Sequence, residues 1–237
     1  MSIAENLAAL RARIGAAAGR AGRDPAAVRL VGATKGGLPG GAAPEAIAEA
    51  VEAGLRDIGE NIVQGAALRR RQLGALDEAV CWHFIGHLQT NKAKAAVEAF
   101  DIIESVDSLR LAETLDRRTE GLQGGRPHGS IPRLPVLLEV NVAREASKFG
   151  FGPSEVSAAV SAIARLPNLE LRGLMTVAPA VRDPEEVRPV FCTLRQLAEA
   201  NGLVELSMGM TDDFEVAVEE GATMVRIGRA LFGERGG

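Results

Sequence analysis

The sequence predicts an α/β protein, a closed (β/α)8 TIM barrel, and three observations lead to that fold. Short apolar, β-prone runs alternate with amphipathic stretches from residue 29 onward. Such alternation implies parallel strands joined by crossover helices. Eight such units within 237 residues match the size of one barrel. A doubly wound open sheet is the alternative, but the glycines after Lys35 do not form its nucleotide-binding fingerprint.

The first element is a helix that precedes the barrel. Ser2 and Glu5 have the spacing of a capping box. Apolar residues then recur every three or four positions, at Ile3, Leu7, Leu10 and Ile14. Charged residues interrupt this stretch, so it does not resemble a secretory signal, and a mitochondrial presequence is the remaining alternative.

The remaining elements follow in regular order, and we expect one domain over 1–237. The predicted strands are 29–34, 56–59, 82–85, 102–105, 136–141, 171–175, 205–208 and 223–227. The predicted helices are 44–54, 62–73, 91–99, 108–118, 154–166, 184–200 and 212–220. Two Gly/Pro-rich stretches, 36–44 and 121–135, are interpreted as surface loops and not as domain boundaries.

Composition excludes several classes of function. The net charge of −4 comes from mixed signs, and aromatic residues make up only 3 % of the chain, so we expect no nucleic-acid partner. No run approaches the roughly 20 apolar residues that a membrane span requires. Cys81 and Cys192 are far apart and form no CxxC, which favours a reduced cytoplasmic setting and inert core thiols.

Lys35 is the first candidate functional residue, because a short apolar strand ends in this lysine and two glycines follow it. A lysine amine held in an apolar interior loses its proton readily and can then attack a carbonyl to form a Schiff base. The alternative is a lysine at a strand end that extends its amine into water.

Other polar residues also follow the predicted strands, at the end where barrel enzymes carry their sites. They are Glu60, Asn61, His87, Asn141, Thr176, 207–211 and 226–228. Gly209 and Thr211 precede a predicted helix, and Gly228 permits close approach of a second backbone segment, so these residues are candidates for binding phosphate. The alternative is that they only cap a helix and end a strand.

Two other types of site are not supported. His83 and His87 have a metal-like spacing, but within a strand they would lie roughly 13 Å apart, so we predict no metal site. The chain lacks GxSxG, which argues against a serine hydrolase. Lys94 and the arginines 69–71 are interpreted as solvated helix faces.

Seven motifs together resemble the pyridoxal 5′-phosphate homeostasis protein family. They are Leu-Val-Gly-Ala-Thr-Lys35, Asp57-Ile-Gly-Glu-Asn61, Trp82-His-Phe-Ile-Gly-His-Leu-Gln-Thr-Asn-Lys92, Ser147-Lys-Phe-Gly150, Arg172-Gly-Leu-Met-Thr176, Ser207-Met-Gly-Met-Thr-Asp-Asp213 and Met224-Val-Arg-Ile-Gly228. The resemblance runs from the N-terminal helix to Phe232-Gly233, so it covers nearly the whole chain.

This resemblance implies a fold and a cofactor site. The fold would be a type III-like barrel of pyridoxal phosphate (PLP) proteins, related to the N-terminal domain of alanine racemase and without a C-terminal β domain. Lys35 would carry PLP as a Schiff base, Thr211 and Gly228 would bind its phosphate with Ser207 adjoining, and Arg226 would face the pyridine nitrogen. Asn61, from the cluster at the strand ends, completes the expected set.

The chain departs from many members of the family at two places near this site. Gly36, Gly37 and an inserted Leu-Pro-Gly-Gly replace a Lys-Pro pair after Lys35. Isoleucine, Ile62, stands where tyrosine often follows the Gly-Glu-Asn motif.

Two functions remain open, a PLP-dependent amino-acid racemase and a non-catalytic protein that binds PLP and supplies it to apo-enzymes. A racemase needs two acid/base groups, and in alanine racemases the second is a tyrosine, whereas this chain has none. An arginine facing the pyridine nitrogen would also weaken the ring as an electron sink. We therefore expect a PLP carrier that is not an enzyme. We also expect the protein to be monomeric and cytoplasmic.

Overall fold

Eight parallel strands close into a barrel in the computed structural model, which describes residues 2–35, 41–120, 133–145 and 147–233. Each strand pairs with the next along the chain, and the eighth pairs with the first. The predicted (β/α)8 barrel is therefore confirmed, and the open doubly wound sheet is wrong.

All eight predicted strands are present, with ends displaced by at most two residues. They are β1 (Arg29–Ala33), β2 (Asp57–Glu60), β3 (Cys81–Phe84), β4 (Ile102–Val106), β5 (Leu134–Glu139), β6 (Leu169–Met175), β7 (Glu205–Ser207) and β8 (Met224–Ile227). The largest displacements are two residues, at both ends of β5 and at the start of β6. Beyond the end of β5, the Asn141 side chain bonds the next loop. Its Nδ2 donates to the Glu145 carbonyl at 2.8 Å.

The predicted helices are also present, and the described residues contain one short helix more. They are α1 (Ile3–Arg20), α2 (Pro44–Glu52), α3 (Val63–Leu73), α4 (Ala93–Ala99), α5 (Leu109–Glu120), α6 (Val156–Ile163), α7 (Arg188–Ala200), α8 (Phe214–Glu219) and the additional α9 (Arg229–Phe232). Three begin later than predicted because their first turns are 3₁₀ helices, at Thr90–Lys92, Pro153–Glu155 and Pro184–Val187. None of the described helices is long and apolar enough to span a bilayer.

The N-terminal helix α1 has the expected capping box. The Ser2 N–H donates to Glu5 Oε2 at 2.8 Å, and the Glu5 N–H donates to Ser2 Oγ at 3.2 Å. Leu7, Leu10 and Ile14 are buried on one face. Through that face α1 packs against α2, α8 and α9 on the outside of the barrel.

The barrel interior is small, and part of it is polar. Its apolar portion is a cluster separate from the main core, formed by Val31, Leu137, Met175 and Met224. His83, Glu104, Ser207 and Arg226 are buried as well. Charged groups in such a place must be paired and hydrogen-bonded, since isolated burial is costly. This requirement sets the geometry of the candidate site.

Neither cysteine is fully buried, so the expectation of two core thiols is wrong. Cys81 and Cys192 are both free and partly exposed. Cys81 lies at the amino end of β3, and Cys192 lies on α7, where its Sγ accepts from Gln196 Nε2 at 3.5 Å.

Gly173 provides a test of the barrel packing. A Cβ at this position of β6 would overlap the Glu205 carbonyl on neighbouring β7, and that backbone cannot move without breaking the ladder. We expect Gly173→Ala to lower the free energy of unfolding by about 3 kcal/mol, measured by urea denaturation.

Gly15→Ala is the matched control, because nothing lies within 4 Å of a Cβ at this position of α1. Removing a glycine from a helix interior should stabilise the protein by about 0.5–1 kcal/mol. Equal changes in the free energy of unfolding for the two substitutions would contradict the close packing of Gly173 against the neighbouring strand.

Candidate functional site

The predicted site residues collect at one opening of the barrel, which we call the mouth, because parallel strands all end there. Ser207 and Arg226 lie within β7 and β8, and the other members follow directly after β1, β2, β7 and β8. Those members are Lys35, Asn61, Thr211 and Gly228.

Lys35 is exposed, so the expectation that its stem lies in an apolar interior is wrong. The chain leaves β1 through Thr34, whose N–H donates to the Gly59 carbonyl at 3.0 Å. Lys35 then adopts the left-handed conformation, with φ of 51°. Non-glycine residues in this conformation are strained and cluster at functional sites. The turn leaves the lysine accessible to a ligand entering the mouth.

Arg226 is buried, and two acceptors hold its guanidinium. Nη1 donates to Ser207 Oγ at 2.6 Å, and Nη2 donates to the Thr176 carbonyl at 2.8 Å. Burial lowers the Arg226 pKa, whereas the negative charges of Glu104, Glu139 and Asp213 act in the opposite direction. These contacts fix the position of the guanidinium at the end of β8.

Behind Arg226, a row of buried side chains crosses the barrel, and we call it the interior chain. Ser207 Oγ donates to Glu104 Oε2 at 2.5 Å. Glu104 Oε1 lies 2.6 Å from His83 Nδ1, and His83 Nε2 lies 3.0 Å from Asp57 Oδ1. The interior chain thus runs from Asp57, at the amino end of β2, to Arg226 near the mouth.

Two members of the interior chain have opposed pKa shifts that favour a charged pair. Burial acts to lower the pKa of His83, but hydrogen bonds to Asp57, Cys81 and Glu104 outweigh burial and raise it well above its usual value. Burial acts to raise the pKa of Glu104, but its contacts with His83, Arg226 and Ser207 leave it below the usual range. We therefore treat the pair as imidazolium and carboxylate.

Asn61 supplies an acceptor that the described residues leave unused. Its Oδ1 is buried and has no hydrogen-bond partner among the residues that the structure describes. Buried polar atoms are usually paired, so this oxygen is free to accept a hydrogen bond from a ligand at the mouth. The preceding residue, Glu60, instead points outward and pairs with Arg69.

Arg69 and Arg70 are not solvated, so our interpretation of both as exposed residues is wrong. The Arg69 side chain is 13 % exposed and also reaches Thr34 Oγ1 at 3.3 Å. Arg70 donates to the Ala99 carbonyl at 2.7 Å and contacts the Trp82 ring. Both side chains connect α3 to the barrel wall, while Arg71 and Lys94 are exposed as expected.

The turn after β7 forms one side of the mouth. Gly209 has φ of 93° and accepts from the Arg226 N–H at 2.9 Å. The helix begins at Phe214 with Asp213 as its N-cap, two residues after the predicted start at 212, and the Met210 N–H donates to Asp213 Oδ1 at 2.6 Å. Thr211 lies partly exposed at the tip of this turn.

Gly228 brings the end of β8 against the end of β1. A Cβ at Gly228 would lie 2.9 Å from the Ala33 carbonyl, which leaves no room for a side chain. The same approach sets Gly228 beside the turn that carries Lys35. The glycine is therefore required by the barrel itself, in addition to any ligand.

Sequence reasoning missed Glu139, which lies two residues after the interior residue Leu137 and faces the same way. Burial raises its pKa to about 7, Asp107 adds to the rise, and Arg226 opposes it. The available signal was a carboxylate within an otherwise apolar strand. Glu104 in β4 carried the same signal and was also missed.

The rim of the mouth carries a stacked pair. His87 and Phe149 lie 3.6 Å apart between ring centroids at an interplanar angle of 11°, and His87 Nδ1 lies 3.0 Å from Asp107 Oδ2. Nearby, Lys148 pairs with Glu145 at 2.5 Å. His87 is thus at the rim, whereas His83 is in the barrel interior, and the two histidines do not form a pair of metal ligands.

One group of potential metal ligands occurs among the described residues, and we did not predict it. Asp57, Cys81 and His83 place three ligand atoms within 4.8 Å of one another. Both ring nitrogens of His83 are already hydrogen-bonded to carboxylates. We therefore assign this group to the interior chain.

Comparison with known proteins relates the chain to one family. The sequence model of the alanine racemase N-terminal domain matches residues 6–236. The pyridoxal phosphate homeostasis protein of Pseudomonas aeruginosa is 45 % identical over 99 % of this chain and 96 % of the relative. That of Escherichia coli K12 is 41 % identical over 98 % of this chain and 97 % of the relative.

Solved structures with a similar fold point to the same family. PipY of Synechococcus elongatus with PLP bound has a TM-score of 0.79 and 36 % identity, covering 98 % of this chain and 100 % of PipY. Alanine racemase of Corynebacterium glutamicum has a TM-score of 0.67 and 17 % identity, covering 97 % of this chain and 59 % of the racemase. The racemase likeness shows a shared barrel fold only.

Glu139 makes stability depend on pH. Because its folded pKa is raised to about 7, the folded protein binds more protons than the unfolded chain between about pH 4.5 and 7, and stability falls as pH rises through that window. We expect Glu139→Gln to remove this loss and to be up to about 3 kcal/mol more stable than the wild type at pH 8, by urea denaturation.

At pH 4 the two proteins should have similar stability. The exposed residue Glu113, on α5, offers the matched substitution Glu113→Gln, which should follow the wild type at every pH. A Glu139→Gln protein that also followed the wild type would show that this carboxyl is not held in the barrel as described.

Proposed function

The chain belongs to the pyridoxal phosphate homeostasis protein family, and from that premise we propose that it is a non-catalytic protein that binds PLP at the mouth and supplies it to apo-enzymes. The observation that carries the proposal is the convergence at one opening of an accessible lysine, a fixed arginine and an amide oxygen that has no partner among the described residues. These are Lys35, Arg226 and Asn61.

The donor set fits this cofactor. PLP, when bound, supplies an aldehyde that condenses with a primary amine, releasing one water and forming a C=N bond. Lys35 provides the amine, and Asn61 Oδ1 provides an acceptor for a polar group of the ligand. Arg226 is a pure donor and would face the pyridine nitrogen.

The phosphate would lie between the last two strands. Thr211 supplies a hydroxyl donor, and Gly228 supplies backbone close to the turn of Lys35. The hydroxyl of Ser207 is committed to Glu104 and accepts from Arg226, so we assign Ser207 to holding the arginine and not to direct phosphate binding.

Two features favour a PLP carrier over a PLP-dependent racemase. An arginine facing the pyridine nitrogen keeps that nitrogen unprotonated, which weakens the electron sink that racemisation requires. The chain also contains no tyrosine. A racemase remains the second candidate because Glu139, with a pKa of about 7, is an acid/base group facing the barrel interior.

Lys35 is the expected point of attachment. Lys35→Ala should abolish the visible absorption band of the PLP-loaded protein while the folded barrel remains, and borohydride reduction followed by mass spectrometry should place the adduct on Lys35. The rival amine is that of Lys148, which is held by Glu145 and donates to the Val177 carbonyl at 3.2 Å.

Lys94→Ala, an exposed change on α4, should leave both the absorption band and the adduct in place. An adduct located mainly on Lys148 or Lys92 would show that the assignment is wrong.

Proton exchange and transfer separate a carrier from a racemase. We expect negligible deuterium exchange at Cα of alanine, serine or glutamate, and no racemisation at any rate near the typical enzymatic 1 to 1000 per second. The PLP-loaded protein should nevertheless activate an apo-form PLP enzyme, because attachment is reversible and the acceptor needs only a higher affinity.

Substantial stereospecific exchange would favour the racemase, and Glu139→Gln would then show whether this carboxyl is the base. Failure of both exchange and transfer would refute the carrier while leaving PLP binding intact.

A further inference from the structure

We propose that Glu104 and His83 are positioning residues that act through Ser207 to present Arg226 to the cofactor's ring nitrogen as a hydrogen-bond donor. The inference rests on the proposed function, since it concerns the same cofactor. It adds two residues that lie behind the site, in the interior of the barrel, and need not touch the ligand.

The first step is the direction of each hydrogen bond. The Ser207 hydroxyl has one proton, and both its neighbours, Glu104 and Arg226, lie within 2.6 Å. An arginine can only donate, and an ionised carboxylate can only accept. Ser207 must therefore donate to Glu104 and accept from Arg226. The ionised Glu104 takes the only hydroxyl proton, which leaves the lone pairs of Ser207 Oγ facing Arg226.

The second step is the charge on Glu104 itself. This carboxyl is 0 % exposed, and each oxygen has one partner, His83 for Oε1 and Ser207 for Oε2. A buried carboxylate needs such partners to stay ionised. His83 supplies the compensating proton, and Asp57 holds the other ring nitrogen at 3.0 Å.

The third step is the orientation of Arg226. Its two terminal nitrogens are held by acceptors on different strands, Ser207 of β7 and the Thr176 carbonyl after β6. The carboxyl groups of Glu139 and Asp213 also attract Arg226. Without an ionised Glu104 behind Ser207, we expect the guanidinium to turn toward these rivals and to lose its alignment with the ring.

The experiment compares two ligands that differ at one atom. In 1-deaza-PLP a C–H group replaces the ring nitrogen, so Arg226 has nothing there to which it can donate. We expect Glu104→Gln to weaken PLP binding about tenfold, as for loss of one charge-assisted hydrogen bond, and to leave 1-deaza-PLP binding unchanged. Both dissociation constants are measured by absorption titration.

Ser207→Ala tests the route by which Glu104 acts. This substitution should weaken PLP binding in the same selective way, and adding Glu104→Gln to it should cause little further loss, because both changes break one connection. His83→Gln should resemble Glu104→Gln. If the losses of PLP affinity were additive in the double variant, Glu104 would not act through Ser207 and the inference would be overturned.

Glu60→Gln is the matched control, since Glu60 is also 0 % exposed but faces Arg69 outside the barrel wall. Any effect of this change should be the same factor for both ligands. An equal loss of both ligands in Glu104→Gln, or circular dichroism showing that every interior variant unfolds, would make Glu104 a structural residue and overturn the inference. Failure of the wild type to bind PLP would instead refute the proposed function.

Discussion

The structure depends on how the barrel compensates the buried positive charge of the Arg226 guanidinium. Arg226 enters an interior that contains only a small apolar cluster, and its charge is offset by hydrogen bonds to Ser207 and Thr176 and by carboxylates nearby. Each partner in turn needs its own partner, which is why the interior chain continues through Glu104 to His83. The result is a continuous row of hydrogen-bonded polar side chains behind the mouth.

Close backbone contact builds the rest of the mouth. Gly228 lies against the Ala33 carbonyl, and Gly209 accepts from the Arg226 N–H, so the ends of β1, β7 and β8 are drawn together. Lys35 leaves this junction in a left-handed turn that faces solvent. The mouth thus combines an arginine held by two acceptors with a lysine that solvent can reach.

Much of the fold and part of the site could be predicted from local pattern. Alternating apolar and amphipathic runs placed the eight strands within two residues, because burial on both faces leaves a strong signal in each strand. The motifs at the strand ends located Lys35, Asn61, Thr211, Arg226 and Gly228. The helix starts at 91, 154 and 184 were less accurate because 3₁₀ and α turns share the same capping residues.

The sequence by itself therefore determined the barrel, its order of elements and the residues at its mouth, since these follow from periodicity and from where strands end. Tertiary structure alone decided that Lys35 is exposed, that Arg69 and Arg70 pack against the barrel wall, and that Glu104 lies between His83 and Ser207. The physical reason is that partners such as Glu104 and Ser207 are 103 residues apart in the chain. Pairing over that distance depends on barrel closure and strand register, which no local pattern encodes.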